Sequence, residues 1–170
     1  MNKLFVVGMV GFVLLTSVSC KEDPPAPDPD PVDTVRIDVQ PVFNGANLYL
    51  DSTYTTVEGH KVQFTDIKFY LEDVKNGSVQ LTDAMLFDYG ERGTLLYDGN
   101  GKAANFGSLT ANLGVGPANN NSDPSAFAND SWLNIQNSND MHWGWNPGYI
   151  FVKVEARVDT IQDANDVFDH

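Results

Sequence analysis

Residues 140–149 bring together the side chains of this sequence that are best suited to binding a soft metal ion. One thioether, one imidazole and two indoles fall within five residues, at Met141, His142, Trp143 and Trp145. Thioether and imidazole ligands suit copper, and Cu(I) especially, where thiolates are unavailable. Indole faces also attract cations. The block predicts a copper site, with the alternative that both tryptophans pack one end of the domain.

The spacing of these residues sets a condition for such a site. In an extended chain successive side chains point to opposite faces, so His142 would point away from Met141 and Trp143. The three converge on one ion only where a bulge or turn interrupts the strand, which Gly144 and Pro147 permit.

The signatures of common enzymes are missing from the sequence. It contains no Gly-rich phosphate loop, no G-x-S-x-G elbow and no H-E-x-x-H motif. The carboxylates show no spacing that selects an acid/base pair. A calcium loop is indicated only by alternating oxygen ligands at Asn119, Asn121 and Asp123, without the glycine and distal glutamate of an EF-hand. We therefore expect no enzyme and no catalytic residue.

The acidic balance of the chain limits its partners. The formal net charge is −13. A surface of this sign repels phosphate backbones, so we expect no nucleic-acid partner. It favours metal ions and other cations, although acidity is also a common solubility feature. No feature of the sequence identifies a protein partner.

The N-terminus has the layout of a bacterial export signal. Lys3 precedes an apolar run at 4–15, which is short for a permanent membrane span. Residues 16–20 resemble a lipobox, in which the single cysteine, Cys20, is acylated and residues 1–19 are removed; Ser17 departs from the usual aliphatic residue. The alternative is an ordinary signal peptide. Lipidation would make the membrane a partner through the anchor.

A proline-rich tether follows the lipid attachment site. Residues 21–23 are Lys-Glu-Asp, which resemble a surface-export signal or simply begin a charged linker. Prolines at 24–31 favour polyproline II, so residues 21–33 of the 20–33 tether would hold the next domain roughly 40 Å from the bilayer. We expect an outer-membrane lipoprotein, facing either the cell surface or the periplasm.

From residue 34 to residue 170 the pattern predicts one all-β domain. Short segments alternate apolar and polar residues and are separated by Gly, Asn and Asp turns, which favours an antiparallel β-sandwich. The predicted strands are 35–39, 47–50, 62–64, 67–71 and 149–158, with shorter candidates at Leu81, 85–87, 95–97 and 109–113. The strand at 149–158 has an apolar and a charged face after residue 151. Residues 116–140 are predicted to be irregular.

The tryptophan block and its colinear neighbours resemble the MbnP-like copper-binding family. The block reads Met-x-Trp-x-Trp-x-x-Gly-Tyr from Met141 to Tyr149, followed by an apolar strand that ends in acid at Glu155. Residues 64–71, 81–88 and 113–116 resemble earlier family segments in the same order. The resemblance runs from about residue 35 to the C-terminus.

The resemblance implies a periplasmic or surface β-sandwich that binds copper. Characterised relatives use histidines and, in some, a tryptophan oxidised to kynurenine, which here would be Trp143 or Trp145. His142 lies inside the block at a position that the motif leaves variable. His170 matches the start of a later histidine block.

The relatives continue past this point with further strands, whereas this sequence ends at His170. The resemblance therefore implies a sandwich that is incomplete at its C-terminus. A ligand at a free terminus is poorly held, so weak copper binding is expected.

Two function classes remain open from the sequence. The first is a non-catalytic copper-handling lipoprotein, with Cu(I) and Cu(II) not distinguished. The second is a surface module that binds a glycan or a protein through exposed Trp132, Trp143 or Trp145. Convergent histidine nitrogens would favour the metal, and coplanar exposed indoles would favour a sugar.

Overall fold

A computed structural model describes residues 33–144 and 148–159. Within them the chain forms nine strands, two short α-helices and two 3-10 turns, and every strand pair is antiparallel. The all-β antiparallel class predicted from the sequence is confirmed. None of the helices in these residues is long and apolar enough to cross a membrane. Cys20, Trp145 and His170 lie outside the described residues.

The strands are bounded as follows: β1 (Asp33–Asp38), β2 (Val42–Phe43), β3 (Ala46–Asn47), β4 (Thr53–Thr55), β5 (Lys61–Asn76), β6 (Val79–Asp88), β7 (Leu95–Gly101), β8 (Thr110–Leu113) and β9 (Val152–Asp159). The helices are α1 (Tyr89–Arg92) and α2 (Pro117–Asn120), and the 3-10 turns are Ala103–Phe106 and Pro124–Ala126.

The long strand β5 organises the main sheet. The sequence segments 62–64 and 67–71 form one continuous strand with a register shift between Phe64 and Asp66. Along one side β5 pairs with β4 and then β6, and along its other side it pairs with β9 and then β8. β1 pairs with β7 in a second, two-stranded sheet.

The β5–β6 pair buries both of its faces because its alternating side chains are apolar on each side. Tyr70 and Leu86 are register partners and belong to one cluster, whereas Phe69 and Phe87 belong to another. The loop-side cluster contains Tyr70, Ala84, Leu86, Val115, Leu133, Met141 and Tyr149. The strand-side cluster has as its buried members Leu48, Val74, Met85, Phe87, Tyr89 and Leu96.

The strand predicted at 149–158 begins later and faces differently than its pattern indicates. β9 starts at Val152. Its apolar side is exposed, as at Val154, while Lys153 and Arg157 on the charged side are half-buried. Lys153 points toward Asp66, with 3.0 Å between Nζ and Oδ2. An ion pair between Lys153 of β9 and Asp66 of β5 therefore accounts for part of the burial on the charged face.

Residues 116–140 contain no strand, as predicted. Only α2 and the turn Pro124–Ala126 interrupt the irregular path. The segment packs Leu133 against the loop-side face of β5 and β6. This layer positions the chain that leads into the candidate site.

Candidate metal centre

Residues 141–143 of the tryptophan block form one arm of a short hairpin, and residues 148–150 form the other. His142 pairs with Tyr149 as an isolated antiparallel bridge. The amide of Trp143 donates to the carbonyl of Gly148 at 3.0 Å, and that of Ile150 donates to the carbonyl of Met141 at 2.8 Å. These bonds join residues 141–143 to residues 148–150 and leave the side chains of Met141, His142 and Trp143 unconverged.

Gly148 has a structural role in this hairpin. Its φ of +139° is a conformation that side chains rarely adopt, and an added Cβ would lie 3.2 Å from the side chain of Asn120. The glycine in the motif is therefore explained by backbone geometry.

The three described members of the block point to different environments. Met141 is fully buried in the loop-side cluster. His142 is half-buried, and its ring meets that of Tyr149 edge-on at a centroid distance of 5.0 Å and an angle of 88°. Trp143 is 43% exposed. The hairpin thus brings an imidazole and an indole toward the surface while the thioether lies in the core.

Tyr149 fixes the hairpin to the layer beneath it. Its amide donates to Oδ1 of Asn120 at 2.7 Å, and its buried hydroxyl donates to the carbonyl of Leu133. Burial, with a smaller contribution from the charge of Asp123, raises the pKa of Tyr149 to about 12. The phenol therefore stays a neutral hydrogen-bond donor and gives the ring of His142 a rigid neighbour.

Three alternate residues of β5 hold the irregular segment 116–140 in place. Lys68 donates from Nζ to the carbonyl of Asn139 at 3.2 Å, and Tyr70 donates from its hydroxyl to the carbonyl of Trp132 at 3.2 Å. The carboxylate of Glu72 accepts from the amide of Gly116 and the side chain of Asn119. These contacts satisfy polar groups at both ends of the layer.

A buried ion pair determines where the chain enters the block. Asp88 is 1% exposed and lies 3.2 Å from Nζ of Lys68. It also accepts from the side chain of Asn139 and from the amide of Glu91 at 3.0 Å. Asn139 and Asp140 have positive φ, a conformation that Asn and Asp tolerate best among residues with a Cβ. The ion pair therefore anchors the turn that aims Met141 inward.

The described residues alone do not complete a metal site. In 33–144 and 148–159 no three His, Cys, Asp or Glu side chains converge as ligands. Two of the residues that suggested a calcium loop have other partners: the side-chain amide nitrogen of Asn119 donates to Glu72, and Oδ1 of Asp123 accepts from the amide of Ser125. His142 is the imidazole of the block within these ranges.

Fold and hairpin together define an antiparallel β protein that carries His142 and Trp143 on one arm of a hairpin. The sequence model of the MbnP family matches residues 32–169. The chain belongs to this family. No curated protein and no solved structure matches the chain.

Sequence reasoning missed the residues that support the block. Lys68, Asp88 and Asn139 form a polar cluster beneath it, and Asn120 holds Tyr149. A signal was present, since Lys68 and Glu72 flank Tyr70 at alternate positions on a strand. Polar residues at alternate positions of one strand indicate a face open to solvent. The pattern of that strand alone does not show that another segment covers the face.

Proposed function

We propose that this protein is an exported, non-catalytic lipoprotein that binds copper at the 141–150 hairpin. Membership of the MbnP family indicates a copper-related protein. The observation that carries the proposal is the hairpin, where a backbone fixed by Tyr149 leaves His142 half-buried and Trp143 exposed.

The residue types at the hairpin fit copper. Imidazole is a ligand for both oxidation states, and the indole of Trp143 offers a polarisable face beside it. Trp145 and His170 are the further donors that we propose from the sequence, and both lie outside the described residues. Met141 is assigned a supporting role, because its buried thioether reaches a surface ion only if the loop-side cluster opens.

The alternative surface module has less support from the geometry. The guanidinium of Arg92 lies over the ring of Trp132 at 4.6 Å from its centroid, so one face of that indole is covered. A sugar stacks on an open aromatic face. Trp143 remains exposed and serves either function.

Removing the imidazole of His142 is expected to weaken Cu(I) binding at least about tenfold, the lower end of the loss seen for residues that only support ligands. Competition titration of the processed chain against a Cu(I) chelator measures this.

The matched control is His60→Ala. His60 precedes β5 and lies about 25 Å from the hairpin along that strand. Its substitution should leave the affinity unchanged. Equal affinities for wild type, His142→Ala and His60→Ala would remove His142 from the site, and no binding by any of them would reject the proposed function.

A further inference from the structure

The exposed apolar side of β9 belongs to the same face of the main sheet that the strand-side cluster covers at β5. Ile67 and Phe69 of β5 pack against the strand-side cluster, while their register partners on β9 are open. Val152 is 46% exposed and Val154 is 56% exposed. Leu113 of β8, at the end of the same edge, is 65% exposed. A row of large apolar side chains of this kind marks an association surface.

The backbone of β9 presents a free edge within the described residues. β9 pairs only with β5 there. The carbonyl of Phe151 accepts from the amide of Tyr70 at 3.1 Å, so odd-numbered residues direct their backbone groups toward β5. The register shift occurs on β5, which leaves β9 regular. Residues 152, 154, 156 and 158 therefore direct theirs outward.

The charged side of β9 is complementary to itself in one antiparallel register. With Ala156 opposite its own copy, Glu155 faces Arg157 of the second copy, and Arg157 faces Glu155. Lys153 falls opposite Asp159, but Lys153 already pairs with Asp66 and Asp159 is buried, so the complementary contacts are those of Glu155 and Arg157. On the other side of the sheet the apolar residues then face each other, and cross-strand pairs of opposite charge stabilise antiparallel strands. The side chain of Glu155 is 57% exposed, and its Oε1 lies 3.4 Å from Nζ of Lys153 in the same chain.

The neighbouring registers lack this match. Centring the pair on Glu155 places that residue opposite itself and Lys153 opposite Arg157, so like charges meet. Centring it on Val154 pairs Lys153 with Glu155 but leaves Arg157 opposite Phe151. Repulsion between two acidic chains is screened beyond about 8 Å at physiological ionic strength, so contacts along the edge decide the register.

We propose that β9 pairs antiparallel with β9 of a second copy of this chain, about a two-fold axis at Ala156. The pairing joins two five-stranded sheets into one and satisfies the outward backbone groups at 152–158. It also brings two exposed apolar rows side by side. The partner is another copy of this chain because, when two β9 strands run antiparallel, Glu155 of each strand lies opposite Arg157 of the other.

A pair of cysteine variants tests the register directly. In the full chain carrying Cys20→Ala, which has no other thiol, Ala156→Cys places two thiols opposite each other. Opposed Cα atoms in a hydrogen-bonded pair lie about 5.5 Å apart, within disulfide range. Val154→Cys is the matched control, because Val154 faces Val158 and lies about 13 Å along the strand from its own copy.

Oxidation should give a disulfide-linked dimer for Ala156→Cys and none for Val154→Cys on a non-reducing gel. Absence of the Ala156→Cys dimer, or equal cross-linking of both, would overturn the proposal. Neither substitution removes a buried side chain, so both variants retain the fold.

Charge reversal gives a second test without thiols. Glu155→Arg or Arg157→Glu alone should weaken self-association, measured by sedimentation, by at least about tenfold, because two symmetry-related attractive pairs become repulsive. The double variant should restore it. Glu58→Arg, on an exposed turn, is the control and should have no effect. Failure of the double variant to restore dimers would contradict the pairing.

Discussion

Replacing Asp88 with alanine is expected to lower the free energy of unfolding by about 3–5 kcal/mol, a large share of the 5–15 kcal/mol typical of a domain. The substitution leaves the buried ammonium of Lys68 without its closer carboxylate and removes the acceptor for Asn139. Asp66, at 3.5 Å from Nζ, compensates only in part. The turn into Met141 should loosen as well.

Urea unfolding of the variant and of two controls measures this effect. Asp98→Ala removes an exposed carboxylate opposite Arg36 and should change stability by less than about 1 kcal/mol. Asp88→Asn keeps an acceptor for the amide of Glu91 but not the charge, and should fall between the two. If Asp88→Ala and Asp98→Ala unfold at the same urea concentration, the ion pair does not hold the layer.

Replacing Cys20 with alanine is expected to move the protein from the membrane to the soluble fraction. Acyl chains on the cysteine would contribute about 0.8 kcal/mol for each methylene buried in the bilayer, and alanine provides no attachment point. Ser19→Ala is the matched control, since it leaves the thiol in place. Fractionation of cells after a high-salt wash checks the distribution. A Cys20→Ala protein that stays with the membrane would contradict the lipoprotein assignment.

Much of the sheet could be predicted because its strands carry their pattern locally. Alternation at 35–39 overlaps β1, which ends at Asp38, and the apolar run at 85–87 lies within β6. The burial of Lys68 could not be predicted in the same way. It depends on Asp88, opposite it on β6, and on Asn139, 71 residues later in the chain. Contacts over such separations leave no period in the sequence.

The candidate site, like the sheet, could be predicted from the sequence only in part. Residue types identified the block as a candidate metal site. Its spacing showed that a turn was needed, and Gly and Pro are residues that commonly interrupt a strand. Alternation placed Met141 and Trp143 on one side, whereas the structure buries the first and exposes the second. The loop-side cluster explains this difference, since Tyr70, Leu133 and Tyr149 enclose Met141. Those partners come from three separate segments.

The copper content of the protein isolated from its native membrane tests the central claim most directly. We expect copper bound to the wild-type chain and a marked loss from His142→Ala produced in the same cells, with His60→Ala unchanged. A wild-type protein that carries no copper, or a His142→Ala variant that carries as much copper as wild type, would contradict the account.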